Sequence, residues 1–383
     1  MSSLALDVGG SFIKAAVIED GTVDANVVRV PIPKFRSKGL DRGLREIDPD
    51  ELDADVFSVL DEVRVSASDE VWITGQMAGL AFVDGDGRAI APLISWQDTR
   101  SDRLKEVAAL MGPDVVADLG DGLRTGSPAV TLAAVDVPPN TRLRSLISYV
   151  AGRVAGQLAP TIHTTDAASW GLFDTRRLLW SSQACNVVGV HSEALAQVTS
   201  DARATVGTSA VHVGIGDQQA ALFGVGLQRG ELSVNLATGC QVSVLADDFS
   251  SAVQTRPYLD PHLLHTVTHL PAGRIMRKAV MTTFGYDSPQ SWTLAAAAAE
   301  SDRRIRAAIK QIVYGIVGAA ERLDALGRPV VFSGGLVQQF LPLRDAIREA
   351  LSPSSVRIFA GDDAALAGLA RLAWEPASGE TGD

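Results

Sequence analysis

Cysteine is almost missing from this sequence. Its two copies, Cys185 and Cys240, have no Cys or His neighbours at metal-ligand spacing, which excludes a disulfide framework and a structural zinc site. Positive charge is short as well: 34 Lys and Arg against 45 Asp and Glu leave a formal net charge of -11. Nucleic acid and anionic membrane surfaces select a basic footprint, so neither is an expected partner. No apolar run approaches the ~20 residues that span a bilayer, and the opening residues lack the charged, apolar and small-residue succession of a signal peptide. A cytoplasmic location is the expectation.

The composition is otherwise that of a globular protein. With 46% hydrophobic residues in 383, the chain can bury a sizeable core, and its length predicts two domains rather than one. Acidity does not exclude ATP, because glycine-loop amides and Mg2+ supply the local positive field that phosphates need.

Glycines mark where the chemistry lies. Residues 4–18 read as two strand-like runs around a Gly9-Gly10-Ser11 corner, with Asp7 at the end of the first run. Such a hairpin presents backbone amides and a hydroxyl. An acid beside it is placed to hold a phosphate-bound Mg2+, directly or through water. The same layout returns at 232–244, where Thr238 and Gly239 form the corner, the echo a duplicated phosphate clamp would leave. Between the two corners come a buried strand at 70–75, a polar break with Gln76 and Met77, and then Trp96, Asp98 and Arg100. A flat apolar face beside donors and acceptors suits a sugar; the same letters also suit a core Trp and a surface ion pair. Asp217 follows Gly214-Ile215-Gly216 and precedes a small-residue helix. It reads either as a helix cap or as a base at a domain junction.

In the second half, apolar residues at Ile305, Ile309, Ile312, Ile316 and Ala320 predict a helix over 302–323 with that stripe in the core. Residues 329–336 read as a strand entering a Gly334-Gly335 turn, followed by a helix over 340–351. Paired glycines at a strand end let a flat ligand approach the backbone. The Gly-, Ser- and Glu-rich letters after Trp374 predict a disordered tail.

Taken in order, these stretches resemble the FGGY carbohydrate kinases of the actin-like ATPase superfamily. Residues 7–14 are similar to that family's Asp-x-Gly-Thr-Thr-Ser-x-Lys, residues 75–79 to its Gly-Gln-Met-His-Gly, residues 96–100 to its Trp-Asn-Asp-x-Arg, and residues 165–174 to its Thr-Asp-x-Ser-x-x-x-Gly-Leu-x-Asp. The Gly-Asp-Gln-Gln-Ala-Ala run at 216–221 falls where the family has its catalytic Asp. The resemblance implies an α/β fold of two actin-like (ribonuclease H-like) ATPase domains with a cleft between them, over residues 1–228 and 229–375. It implies sugar binding by Gln76, Met77, Trp96, Asp98, Arg100, Asp217 and Gln218. It implies ATP binding by Gly9, Gly10, Ser11, Lys14, Thr238, Gly239, Gly334, Gly335 and Gln339, with Asp7 on Mg2+ and Asp217 as the catalytic base. A closing helix at 363–370 resembles the one that packs against the family's adenosine segment. The implied partners are a small sugar and ATP, in a monomer or homodimer with hinge closure around them.

Residues 256–258 and 270–274 resemble stretches of the sedoheptulokinase branch. That places sedoheptulose first among acceptors, ahead of xylulose, ribulose or a polyol. A non-catalytic sugar-binding protein on the same fold is the alternative from another class, and a pure sensor has no use for a base. An actin-like ATPase acting on acetate or polyphosphate leaves the Gln76, Trp96, Asp98 and Arg100 grouping unexplained. Three departures stand out: Ala78 where the family often has His, Gly10 where its corner has a hydroxyl, and a shorter C-terminal half.

Overall fold

The computed structural model describes every residue except 1–2, 37–42, 64–68, 121, 238, 260 and 376–383; the predicted disordered tail thus lies outside the described residues. The chain forms two compact units. Met1–Gly224, Arg256–His262 and Asp363–Asp383 make the first, and Val225–Thr255 with Leu263–Asp362 the second.

The first unit is built on a sheet of β1 (Ser3–Val8), β2 (Phe12–Glu19), β3 (Thr22–Val23), β4 (Val28–Pro31), β5 (Glu70–Gly75) and β6 (Ile215–Gly216). The order is β6-β5-β1-β2-β3, with β4 also on β2. β1 and β2 run antiparallel with Asp7 opposite Lys14, whereas β5 and β6 run parallel to β1. Alternation along the strands sends side chains to opposite faces. Leu4, Leu6, Val8, Val71 and Ile73 pack with α1 (Pro49–Glu62) and α2 (Leu146–Ala155). Ala5, Ala16, Trp72 and Ile215 face the other way, onto α4 (Asp217–Gly224) and α9 (Ala364–Trp374). A sheet covered on both faces explains why β1 and β5 read as unbroken apolar runs. A third cluster, with Trp170 and Phe173 at its centre, gathers side chains from residues 80–196 and includes the end of α3 (Thr164–Ala167).

The second unit repeats the plan. Its sheet holds β7 (Leu232–Leu236), β8 (Cys240–Ala246), β9 (Gln254–Pro257), β10 (Leu263–Leu270), β11 (Val330–Ser333) and β12 (Val356–Ile358) in the order β9-β10-β8-β7-β11-β12. β7 and β8 form an antiparallel hairpin, and β11 and β12 continue parallel beside β7. The run β12-β11-β7-β8 therefore repeats β6-β5-β1-β2 in direction and neighbour order, so the sequence echo between the two corners is a topological repeat. The core of this unit takes in α5 (Ala272–Phe284) and α6 (Arg303–Arg322); α6 is capped by Asp302, which accepts the Arg304 and Ile305 N–H groups, and it buries the predicted Ile305, Ile309, Ile312, Ile316 and Ala320 stripe. The helix expected at 340–351 is α8 (Leu341–Leu351), preceded by the short α7 (Gly335–Gln339).

The closing helix corrects one expectation. α9 groups with the first unit, where it lies on α4. A Cβ added to Gly368 would run into the Ala220 carbonyl oxygen and lie 2.7 Å from the Ala220 carbonyl carbon, while one on Gly224 would meet the Ala364 oxygen and lie 2.7 Å from the Gly368 nitrogen. Two small-residue faces let the backbones touch, and only hydrogen fits there. The expected boundary at 228/229 accordingly differs from the observed grouping, which assigns 363–375 and the 256–262 segment to the first unit. No described helix is long and apolar enough to cross a membrane.

Candidate active site

Three neighbouring parallel strands, β1, β5 and β6, end side by side, and their carboxyl ends carry Asp7, Gln76 and Asp217. That edge is where ligands bind in open α/β sheets. The first corner is closed by the Gly9 N–H donating to the Phe12 oxygen at 3.0 Å. Gln76 ties its own strand end to the corner: its backbone N–H donates to the Val8 oxygen (2.9 Å) and its Nε2 to the Gly9 oxygen (3.4 Å). Trp96 and Gln97 close in from the side, since a Cβ on Gly10 would lie 3.8 Å from Trp96 Nε1 and 3.9 Å from Gln97 Nε2. The glycine that replaces the family's hydroxyl residue sits within reach of that indole.

Lys14 Nζ donates to Asp7 Oδ2 and to Asp363 Oδ2, both at 2.7 Å. Burial works against its ammonium, but the two carboxylates hold its pKa above the usual lysine value. Asp7 is itself buried, and burial pushes its pKa up to about 6, against the pull of Lys14 and with a further push from Asp363 and Asp217. Its Oδ1 is buried without a hydrogen-bond partner. One anionic oxygen left open beside a turn of backbone amides suits Mg2+, which takes one or two carboxylates and completes its shell with phosphate and water. A dedicated cage is not needed, and no cluster of three or more His, Cys, Asp or Glu with metal-site geometry occurs among the described residues.

Asp217 opens α4 and is partly buried. Its Oδ1 accepts the N–H of Gln218 at 2.8 Å, a local bond that leaves Oδ2 for other work. Burial raises its pKa above the ordinary carboxylate value, and the Gln218 N–H with the charges of Arg256, Arg124 and Lys14 oppose the rise. The glycine before it is closely packed: a Cβ on Gly216 would strike Met77 Sδ and lie 2.6 Å from Gln219 Oε1, so both side chains would have to shift. Met77 and Gln218, both expected on sugar, meet at Arg256, whose Nη1 donates to Gln218 Oε1 (3.3 Å) and lies 3.9 Å from Met77 Sδ. Gln219 Nε2 donates to the Pro257 oxygen at 3.1 Å, so residues 256–257 are fastened to the first turn of α4.

The 96–100 stretch divides. Trp96 is 42% exposed, which removes the reading of it as a core residue, while Asp98 is 2% exposed. Asp98 Oδ1 accepts from Arg100 N and Nε (both 2.9 Å), and its Oδ2 accepts from Arg45 N (2.7 Å) and Arg100 Nη2 (2.8 Å). Burial opposes that charge, but these donors hold the Asp98 carboxyl below its usual value. Four accepted bonds fill a carboxylate. The expectation of Asp98 as a sugar ligand is corrected on that ground: it stiffens the loop that displays Trp96. Arg100 turns back on Asp98 and Glu46 and is part of the same brace. Ala78, in place of the family's histidine, adopts φ +62 and is buried, a conformation in which a non-glycine residue is strained.

In the second unit Thr238 lies outside the described residues. Beside it, the Ala237 N–H donates to the Gly239 oxygen at 2.8 Å. Gly334 has φ +91, and a Cβ there would run into the Leu236 oxygen and lie 2.9 Å from Asn235 Oδ1. The turn after β11 therefore rests directly on the end of β7, and Gly335 and Gln339 are exposed beside it. Within this unit the expected nucleotide residues Gly239, Gly334 and Gly335 do share one end of the sheet.

Sequence reasoning gave no role to Asp166, Arg256 or Asp363. Asp166 lay inside a matched stretch, yet its burial was invisible there. It is fully buried, accepts a hydrogen bond from Ser145 Oγ through Oδ2, and leaves Oδ1 without a partner. Burial pushes its pKa up to about 7, opposed by Ser145 and reinforced by the charge of Asp217. The folded state then binds a proton that the unfolded chain has already released, so stability falls as pH rises from about 4 to about 7. Asp166→Asn should flatten that fall, making the variant more stable than the parent at pH 8 by on the order of 1–3 kcal/mol and nearly equal at pH 4. Urea titrations at the two pH values check this.

Two α/β units that each carry a strand, glycine corner and strand, with an unpartnered carboxylate oxygen on Asp7 beside the first corner and Asp217 at a neighbouring strand end, fit the class of actin-like, ATP-dependent carbohydrate kinases. The N-terminal domain model of the FGGY family of carbohydrate kinases matches residues 2–224, and the chain belongs to that family. It is 23% identical to mouse (Mus musculus) sedoheptulokinase over 328 residues, covering 72% of this chain and 67% of that one. Glycerol kinase of Nocardia farcinica is 30% identical over 208 residues, covering 46% of this chain and 40% of that one. The fold matches a gluconate kinase from Lactobacillus acidophilus with a TM-score of 0.82 at 17% identity, over 97% of this chain and 89% of that one.

Proposed function

We propose that this chain transfers the γ-phosphate of ATP to a terminal hydroxyl of a ketose, with sedoheptulose as the first candidate and xylulose, ribulose or a polyol next. The observation that carries the reading is Asp217: a partly buried carboxylate at a strand end, one oxygen held by the Gln218 amide, on the edge that also bears the first glycine corner. Asp217 accepts the proton of the attacking hydroxyl. The transition state of phosphoryl transfer is loose, so an Asp of modest basicity is sufficient and placement decides the rate. Trp96 offers its face to the sugar ring, and Gln76 and Gln218 supply amides to its hydroxyls.

The amides of the Gly9-Gly10-Ser11 corner bind phosphate oxygens; in the second unit Gly239, Gly334 and Gly335 are the residues expected to bind nucleotide. Mg2+ held by Asp7 would supply charge neutralisation for those oxygens. Lys14 is fixed by Asp7 and Asp363, so its charge is already in place when the phosphates arrive. Resemblance to the sedoheptulokinases supports the choice of sugar.

The test is a panel of sedoheptulose, xylulose, ribulose, glycerol and gluconate with ATP, read by 31P NMR of the product. A phosphomonoester at the terminal carbon of a ketose is expected, with kcat/KM at least about tenfold above glycerol. Turnover of glycerol alone would leave the polyol in place of the ketose, and turnover of gluconate alone would replace the proposed acceptor.

A further inference from the structure

The peptide unit between Ile215 and Gly216 is held from both sides. Its carbonyl accepts from Thr74 Oγ1 at 2.9 Å and its N–H donates to Thr165 Oγ1 at 3.0 Å. Both threonines are fully buried. They come from different elements, β5 and α3, on either side of β6. The next residue along the chain is Asp217.

The bonds behind Thr165 have one consistent direction. His163 Nδ1 receives the Thr165 backbone N–H (3.2 Å) and lies 2.8 Å from Thr165 Oγ1; His163 Nε2 lies 3.0 Å from the Ser200 oxygen. A ring nitrogen that accepts from a backbone amide carries no proton, so Nδ1 accepts and Nε2–H donates to the Ser200 carbonyl. The Thr165 hydroxyl then gives its hydrogen to Nδ1 and turns its lone pair to the Gly216 N–H. The chain of bonds runs from Gly216 N–H to Thr165 Oγ1–H to His163, and from His163 Nε2–H to Ser200. It is complete only while His163 is neutral, and burial of the ring lowers its pKa to about 4.

We propose that Thr74 and Thr165, the latter oriented by His163, are positioning residues that set the plane of the Ile215–Gly216 peptide and thereby the reach of Asp217. A planar peptide gripped at both its oxygen and its nitrogen cannot rotate, and Gly216 has no side chain to steady it otherwise. Met77 Sδ and Gln219 Oε1 crowd the space that a Cβ on Gly216 would take. β6 is a two-residue edge strand, paired with β5 only at Ile215 and Gly216, and the two hydroxyls add a hold on each side of this peptide just before a base whose placement decides the rate. This proposal rests on Asp217 being the base.

The test uses Thr165→Val and Thr74→Val, which keep shape and remove the hydroxyl, with Thr165→Ser and Thr74→Ser as conservative partners. On the full chain, Thr165→Val is expected to lower kcat by roughly 10- to 100-fold, the cost of about 1 Å of misplacement. The sugar KM and the thermal shift induced by ADP should stay within about threefold, because the sugar face and nucleotide corners are untouched. Thr165→Ser should restore kcat to within about threefold. A folded Thr165→Val with unchanged kcat, while Asp217→Asn is inactive, overturns the positioning role and leaves the base assignment standing. A loss of nucleotide-induced shift equal to the loss of kcat also overturns it, since that is the mark of general unfolding. If Thr165→Val proves too unstable to purify, Thr74→Val carries the same comparison from the carbonyl side. An active Asp217→Asn removes the base assignment itself, a result that the threonine variants do not produce.

Discussion

Asp217→Asn should lower kcat by about 10²- to 10⁴-fold, the usual contribution of a positioned general base, while the protein remains folded and still responds to nucleotide. The substitution keeps the oxygen that receives the Gln218 amide and removes the proton acceptor. Because burial already holds the Asp217 carboxyl above its ordinary pKa, its ionised form is a cost to the fold at neutral pH, and the amide should leave thermal stability equal or slightly higher. Loss of activity without loss of stability marks a base; at a mere helix cap Asn is as good as Asp and would change neither. The measurement is steady-state ADP release with the preferred ketose, paired with a melting curve with and without ADP. Retained turnover ends the assignment.

Gly368→Ala should cost about 1–3 kcal/mol, the usual range for overpacking a well-packed contact. The added carbon has nowhere to go, since the Ala220 carbonyl fills its place, and overpacking two backbones forces α9 off α4. The consequence reaches the site. Asp363 caps α9 through the Ala365 and Leu366 N–H groups and holds Lys14 with its other oxygen; lifting α9 loosens the Lys14–Asp7 pair as well. Gly318→Ala is the control. It lies within α6, where a new Cβ meets nothing within 4 Å, so it should stabilise by about 0.5–1 kcal/mol through helix propensity alone. Urea unfolding of both variants, followed by tryptophan fluorescence and circular dichroism, checks the pair. A Gly368→Ala protein as stable as its parent would show that the two helices separate at no cost.

Much of the architecture was legible in the letters because it follows from local rules. The Gly9-Gly10-Ser11 corner, the Asp302-capped helix and the strand before Gly334 depend on periodicity and on which residues tolerate tight turns, and these act over a few positions. The β7–β8 corner could be seen as a repeat of the first because the same turn problem was solved twice. What resisted was pairing across long separations. Asp98 and Arg100 carry the right atoms for a sugar, and nothing in their spacing shows that four donors already fill the carboxylate. Trp96 could equally have been core until its exposure was known. Asp166 looks like one more polar letter in Thr165-Asp166-Ala167, and only complete burial makes it a proton-retaining acid.

The sequence by itself determined the family, the two hairpin corners and the identity of the residue to suspect as base, because glycines, caps and apolar periods are enforced by neighbours along the chain. Tertiary structure alone decided that the last helix returns to the first unit, that Asp98 braces rather than binds, and that two distant threonines grip the peptide before Asp217. Those outcomes depend on which backbones come within a hydrogen atom of each other and which polar atoms are left a partner after burial, quantities that packing fixes and spacing along the chain does not.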